Sequence, residues 1–89
     1  MSDSTVQCWL VERELGDRDF VTLVYATPDG SRYQQRQRSS TALRTGATVT
    51  AATEVPEDEL EPVPDAETRE RYATEVERTA DKYDPDDPI

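Results

Sequence analysis

The stretch that most restricts this chain runs from Phe20 to Arg38. It reads Phe-Val-Thr-Leu-Val-Tyr-Ala-Thr, then Pro-Asp-Gly, then Ser-Arg-Tyr-Gln-Gln-Arg-Gln-Arg. The first part is rich in β-branched and aromatic residues, which suit a pleated, half-buried strand. Thr27-Pro28-Asp29-Gly30 puts Pro at the second turn position and Gly at the fourth, the type I pattern, and Gly30 can take the positive φ of a bulge after it. Two antiparallel strands, 20–27 and 31–38, follow. In the register this turn predicts, Tyr25 faces Tyr33 and Leu23 faces Gln35. One face of the pair then carries Val21, Leu23, Tyr25 and Tyr33, and the other sets Phe20, Val24 and Ala26 against Arg38, Gln34 and Arg32. A slip of one residue exchanges the faces of the second strand.

The rest of the chain is read around this hairpin. Residues 6–13 make a first strand with faces Val6/Cys8/Leu10 and Gln7/Trp9/Val11, both partly apolar, so a central place in the sheet is expected. A turn at Gly16-Asp17 leads into the second strand and makes these two neighbours. Ser39 to Gly46 has the caps for one helical turn. Residues 48–55 alternate cleanly, with Val49, Ala51, Thr53 and Val55 on one face, but nothing says where this fourth strand joins. Pro56, Pro62 and Pro64 make 56–64 an extended connection, pinned by Leu60 and Val63. Residues 66–83 read as a helix capped by Asp65, with Ala66, Ala73, Val76, Ala80 and Tyr83 on one stripe and Tyr72 at its border. Arg69 interrupts that stripe, and Asp84-Pro85 ends the helix. The expectation is a single α+β domain over residues 1–83. It has an antiparallel sheet of about four strands (6–13, 20–27, 31–38, 48–55), one C-terminal helix packed on one face, and a flexible acidic tail at 84–89.

Composition limits how such a domain is held together. The chain has 89 residues, is 34% hydrophobic, and eight of its apolar residues are Ala. Small domains with thin cores are often completed by a disulfide, a metal or a second subunit. One Cys and no His leave little scope for the first two, so a homodimer is carried as an expectation. No window approaches the roughly 18 apolar residues of a membrane helix, and Met1-Ser2-Asp3-Ser4 lacks the pattern of a signal peptide. A cytoplasmic protein with no membrane contact is expected.

Charge is the strongest signal, and it is uneven. The net of −10 lies wholly in residues 54–89, which hold 14 acids against four bases; residues 1–53 balance six acids with six Arg. There is one Lys against nine Arg, one Ile against eight Val, and eleven Thr. By composition over its whole length, the chain resembles the small acidic proteins of extreme halophiles, the haloarchaea, many of which have no assigned function. The resemblance implies a cytosol rich in potassium salt. At about 1 M salt the Debye length is about 3 Å, so such a surface repels itself little; in dilute buffer it should loosen the fold.

Little in the sequence points to catalysis. The commonest general base, His, is absent. Cys8 lies beside Trp9 in a predicted strand, where a buried structural thiol is expected rather than a nucleophile. The three glycines are scattered, with no phosphate-binding or dinucleotide fingerprint. The acidic runs Glu57-Asp58-Glu59-Glu61 and Asp84-Asp86-Asp87 lack EF-hand spacing and read as a solvated, salt-adapted surface. No cofactor, metal or small-molecule substrate is identifiable, and the chain is expected not to be an enzyme.

One feature stands out. Arg32, Gln34, Arg36 and Arg38 alternate along one strand face, with Tyr33 among them and Arg44 further on, in a window without acids. Three uses are open: protection of an edge strand, pairing with acids of the C-terminal helix in the same or a second copy, or contact with nucleic acid through phosphates and stacking. The expected function is therefore a self-associating, non-enzymatic interaction module. The alternative is a nucleic-acid-binding accessory protein using this face.

Overall fold

The computed structural model describes residues 4–15, 20–39 and 49–88. Their order is β1 (Thr5–Leu15), β2 (Phe20–Ala26), β3 (Arg32–Ser39), β4 (Ala52–Pro56), a 3-10 turn (Glu57–Glu59), β5 (Glu61–Pro62) and α1 (Ala66–Lys82). The strands form one antiparallel sheet in the order β4-β1-β2-β3-β5, with α1 on one face. This is the expected α+β architecture, with a short fifth strand added. The predicted turn at Gly16-Asp17 and the helical turn after Ser39 lie outside the described residues.

β1 is central, between β4 and β2, and Cys8, Trp9 and Leu10 are buried. The position left open for the fourth strand is the outer side of β1, where Val55 pairs with Val6 and Thr53 with Cys8. The strand begins at Ala52, and the outer side of its start is bonded too: Ala51 N–H donates to the Asp87 carbonyl (2.9 Å) and Ala52 N–H to that of Pro85 (3.1 Å). A β-bridge joins Thr50 and Pro88. The acidic segment 84–88, expected as a flexible tail, thus lies along the start of β4 as a backbone partner.

The hairpin register differs by one residue from the expectation. Tyr25 pairs with Gln34, Ala26 with Tyr33 and Leu23 with Arg36. The reason is in the loop. The Gly30 N–H closes a turn onto the Thr27 carbonyl (2.8 Å), and Gly30 takes φ +72°. Asp29 Oδ1 then accepts from the Thr27 hydroxyl (2.6 Å), the Ser31 N–H (3.0 Å) and the Ser31 hydroxyl (2.7 Å). Side-chain bonds of this kind compete with the ladder. They hold Ser31 in the loop, so Thr27 meets Arg32 instead of Ser31. The shift exchanges the faces of β3. Arg32, Gln34, Arg36 and Arg38 share the side of Val21, Leu23 and Tyr25, and Tyr33 turns to the helix side.

Two clusters make the core. Under the helix, Trp9, Val24, Ala26, Ala51, Ala52, Val63, Tyr72 and Val76 pack together, with Val11 and Tyr33 at the margin. On the opposite face lie Cys8, Leu10, Val21, Leu23, Tyr25, Val49 and Val55, flanked by Val6 and Leu60. The helix stripe is corrected accordingly. Tyr72 and Val76 are its buried residues, while Ala66 and Ala80 are exposed and Tyr83 is 38% exposed. The larger apolar side chains set the rotation of α1. Two polar side chains also tie the helix to the sheet side: the exposed Arg69 donates from Nε to the Val63 carbonyl (2.8 Å), and the half-buried Thr79 hydroxyl to the Leu10 carbonyl (3.1 Å).

A strap closes the other face. Pro56 ends β4 at one edge, and Glu61 begins β5 at the far edge. Outer strands of a flat five-stranded sheet lie about 19 Å apart. Five residues that include a 3-10 turn reach only about 13 Å. The sheet therefore curls toward the strap, and Leu60 packs from it against the Leu23 cluster.

Candidate interaction surface

The arginine face is assembled by two local irregularities. The first is the four-residue hairpin loop. The second is a bulge in β1, where the register shifts between Leu10 and Glu12. A bulge inserts one residue and reverses the alternation beyond it. Here it sets Arg13 opposite Leu23, which in turn pairs with Arg36. It also moves Glu12 and Glu14 to the helix side, where Glu12 lies 3.6 Å from Arg71. Without the bulge, two glutamates would stand beside the arginines.

Arg13, Arg36 and Arg38 all act on the Tyr25 ring region. Arg36 lies over the ring at 5.4 Å, and Arg36 Nε donates to Gln34 Oε1 (2.7 Å). Burial pushes the Tyr25 phenol up, and the three guanidinium groups oppose that shift. Its hydroxyl donates to the Thr50 carbonyl (3.2 Å). Arg38 is exposed, and its guanidinium donates to the carbonyl of Gln37 (3.1 Å).

Acids do pair with this stripe, but from the strap and not from the helix. Arg32 lies 3.8 Å from Glu57, with both side chains about half exposed, and Gln34 donates to Glu59 (2.8 Å). An exposed pair of this kind contributes at most about 1 kcal/mol. Of the predicted surface, the structure gathers Arg32, Gln34, Arg36 and Arg38. It parts Tyr33 from them: its ring packs across the sheet against Tyr72, at 6.4 Å between centroids. Arg44 lies outside the described residues. Arg13 was missed, because the bulge that turns it has no signature in the sequence.

The edge position of β3, one of the three readings of the stripe, holds over most of its length among the described residues. β5 pairs only with Arg32 and Tyr33. In an antiparallel ladder, alternate residues direct their backbone groups to the two sides. Arg32 bonds inward to Thr27, so Tyr33, Gln35 and Gln37 point outward. Tyr33 meets Glu61. Among the described residues no strand pairs with its outer side over 34–38, and the Gln35 and Gln37 side chains are exposed on the helix side.

Other chemistry is sparse. Burial raises the Cys8 thiol to about 11, against the opposing pull of Arg32 and Arg36. No group of three or more Cys, Asp or Glu side chains is arranged to hold a metal among the described residues. Surface depressions there include one lined by Asp65, Glu67, Thr68 and Arg71 and another by Gln7, Thr50, Ala52, Thr53, Glu54 and Asp86. No described helix is long and apolar enough to cross a membrane.

Fold and surface together define a small two-layer α+β domain, a five-stranded antiparallel sheet with one helix and a basic face opposite it. The chain belongs to a family of unknown function (DUF7967), whose model matches residues 1–89. Comparison with curated proteins and with solved structures finds no match in either.

Proposed function

We propose that this chain is a non-enzymatic interaction module of a salt-rich cytoplasm, and that β3 is its contact strand. One observation carries the reading: beyond Tyr33 the outer edge of β3 has no strand partner among the described residues. Exposed edges are templates for pairing with another chain. The opposite edge is covered at its start, where Ala51 and Ala52 are bonded to the C-terminal segment. Self-association is one form of the proposal. Sedimentation equilibrium in 2 M KCl (a salt level set by the halophile resemblance) tests it, with Gln37→Pro as the edge variant. A wild-type monomer across the micromolar range sinks self-association. A dimer that survives Gln37→Pro assigns the contact elsewhere.

A second reading, nucleic-acid binding, is favoured by the shared face of Arg13, Arg36 and Arg38, set by the pairing of Leu23 with Arg13 and Arg36 and of Val21 with Arg38. Phosphate contacts need such groups. Stacking by Tyr33 is not part of it, because Tyr33 lies on the other face. Titration of labelled RNA and DNA at two salt concentrations tests this. Phosphate contacts give an affinity that falls steeply with salt, and no binding at the lower salt removes the reading.

A further inference from the structure

We infer that the open part of the β3 edge takes an extended acidic segment of a partner protein as an added strand. The inference rests on the reading of β3 as a contact strand and names what it contacts. Added strands gain affinity from main-chain hydrogen bonds and specificity from alternate side chains. Here the main-chain groups are those of Gln35 and Gln37. The side chains beside them are Arg36 and Arg38 on one face and the two Gln amides on the other.

The chain already builds a short version of this arrangement. Over Glu61–Pro62 an extended segment pairs with the lower part of the same edge, and the 3-10 turn Glu57–Glu59 just before it is acidic. Glu61 meets Tyr33, while Glu59 and Glu57 just before it reach Gln34 and Arg32. It leaves the edge at Leu60 to form the strap, so among the described residues no strand covers the upper part. An incoming strand with Asp or Glu at every second position sets carboxylates beside Arg36 and Arg38. It also displaces the Arg38 guanidinium from the Gln37 carbonyl.

A second copy of β3 fits this edge poorly. In a two-fold antiparallel pair, outward residues must meet outward residues. With Gln37 opposite Gln37, Arg36 faces Arg38 of the other copy. With Gln35 opposite Gln37, Arg36 faces Arg36. Like charges directly opposite one another destabilise a sheet. With Gln35 opposite Gln35, the ladder must include Tyr33, whose outward groups Glu61 already occupies.

The test is an amide NMR titration of the full chain in 0.5 and 2 M KCl. The probes are an eight-residue peptide of alternating Glu and Thr, its Lys-Thr counterpart, a short RNA, and the protein itself over a concentration series. The expected result is shifts at Gln35 and Gln37 with the Glu peptide, and amide exchange there slowed at least about tenfold at saturation. Gln37→Pro, which removes an outward N–H at an edge position where Pro is tolerated, abolishes this. Arg36→Gln with Arg38→Gln weakens it about tenfold without touching the backbone. Equal binding of the Lys peptide overturns the acidic partner, as does binding that the double Arg variant leaves unchanged. Edge protection by protein concentration alone overturns it too, leaving β3 as a self-contact. Shifts with RNA alone turn the result to the second reading, and no shift at β3 with any probe overturns both the inference and the contact-strand reading.

Discussion

Gly30→Ala should be among the most damaging single changes in this chain. Gly30 sits in the hairpin loop at φ +72°, and a Cβ there would lie 2.2 Å from the Arg69 carbonyl oxygen and 2.8 Å from the Ala73 nitrogen. Two costs follow. The left-handed conformation costs a residue with a Cβ about 1–2 kcal/mol. The second cost is steric, because both obstructing atoms are helix backbone and no side chain can swing away. Helix α1 must retreat by about 1 Å, and a gap of that size forfeits a quarter to a half of the dispersion contact it opens. Tyr72 and Val76 are the buried residues of α1, and each contributes about 1.5–3 kcal/mol by burial. Their share of the loss is about 1–3 kcal/mol, so the total is about 2–5 kcal/mol. A domain of this length has about 4–13 kcal/mol in all. Urea unfolding at fixed KCl measures the change, with Trp9 as reporter, since it is the only Trp and packs in the cluster with Tyr72 and Val76. Gly30→Asn separates the two costs. Asn tolerates positive φ but carries the same Cβ, so it should retain the steric part. An Asn variant within about 0.5 kcal/mol of wild type would refute the helix contact, and an Ala variant losing less than about 1 kcal/mol would refute the whole argument.

Further tests address other contacts. Asp29 is held at about 2, chiefly by the hydroxyl of Thr27 and then by the N–H and hydroxyl of Ser31. A depressed carboxylate stabilises above its unfolded pKa of about 3.9, and the contribution fades as pH falls through about 2. Asp29→Asn should therefore lower urea stability at pH 6 by no more than about 1 kcal/mol, given the exposure of the site, and make no difference below pH 2; an equal deficit at both would refute the linkage. Thr79→Val keeps the shape of the side chain but removes the donor to the Leu10 carbonyl at the bulge. It should cost about 1–3 kcal/mol, read from the urea midpoint; a neutral Val variant would show that water serves that carbonyl equally well. Cys8, buried with its thiol raised to about 11, should stay inert to a thiol reagent at pH 8 until the chain is unfolded. Rapid labelling of the native protein would contradict its burial.

The arginine face shows how far the sequence could be read. The period-two spacing of Arg32, Gln34, Arg36 and Arg38 was enough to place them together. Which side of the sheet they occupy was not legible. That depended on Asp29 binding Ser31 and holding it in the loop, a local bond that competes with the ladder on nearly equal terms. The helix stripe was misjudged for a related reason. Ala residues at helical spacing mark a face but bring little area, so Tyr72 and Val76 and the hydrogen bonds of Arg69 and Thr79 decided the rotation.

By itself, then, the sequence determined the element types, most of their bounds, the antiparallel pairing of the first three strands, and a buried Cys8. These follow from periodicity, turn residues and caps, which act over a few neighbouring residues. Tertiary structure alone decided the place of β4 beside β1, the strap across the curled sheet, and the bulge that brings Arg13 to the basic face. It also decided the pairing of the acidic segment 84–88 with residues 50–52. Each of these depends on backbone groups far apart in the chain finding partners in space, and no local pattern of side chains records that choice.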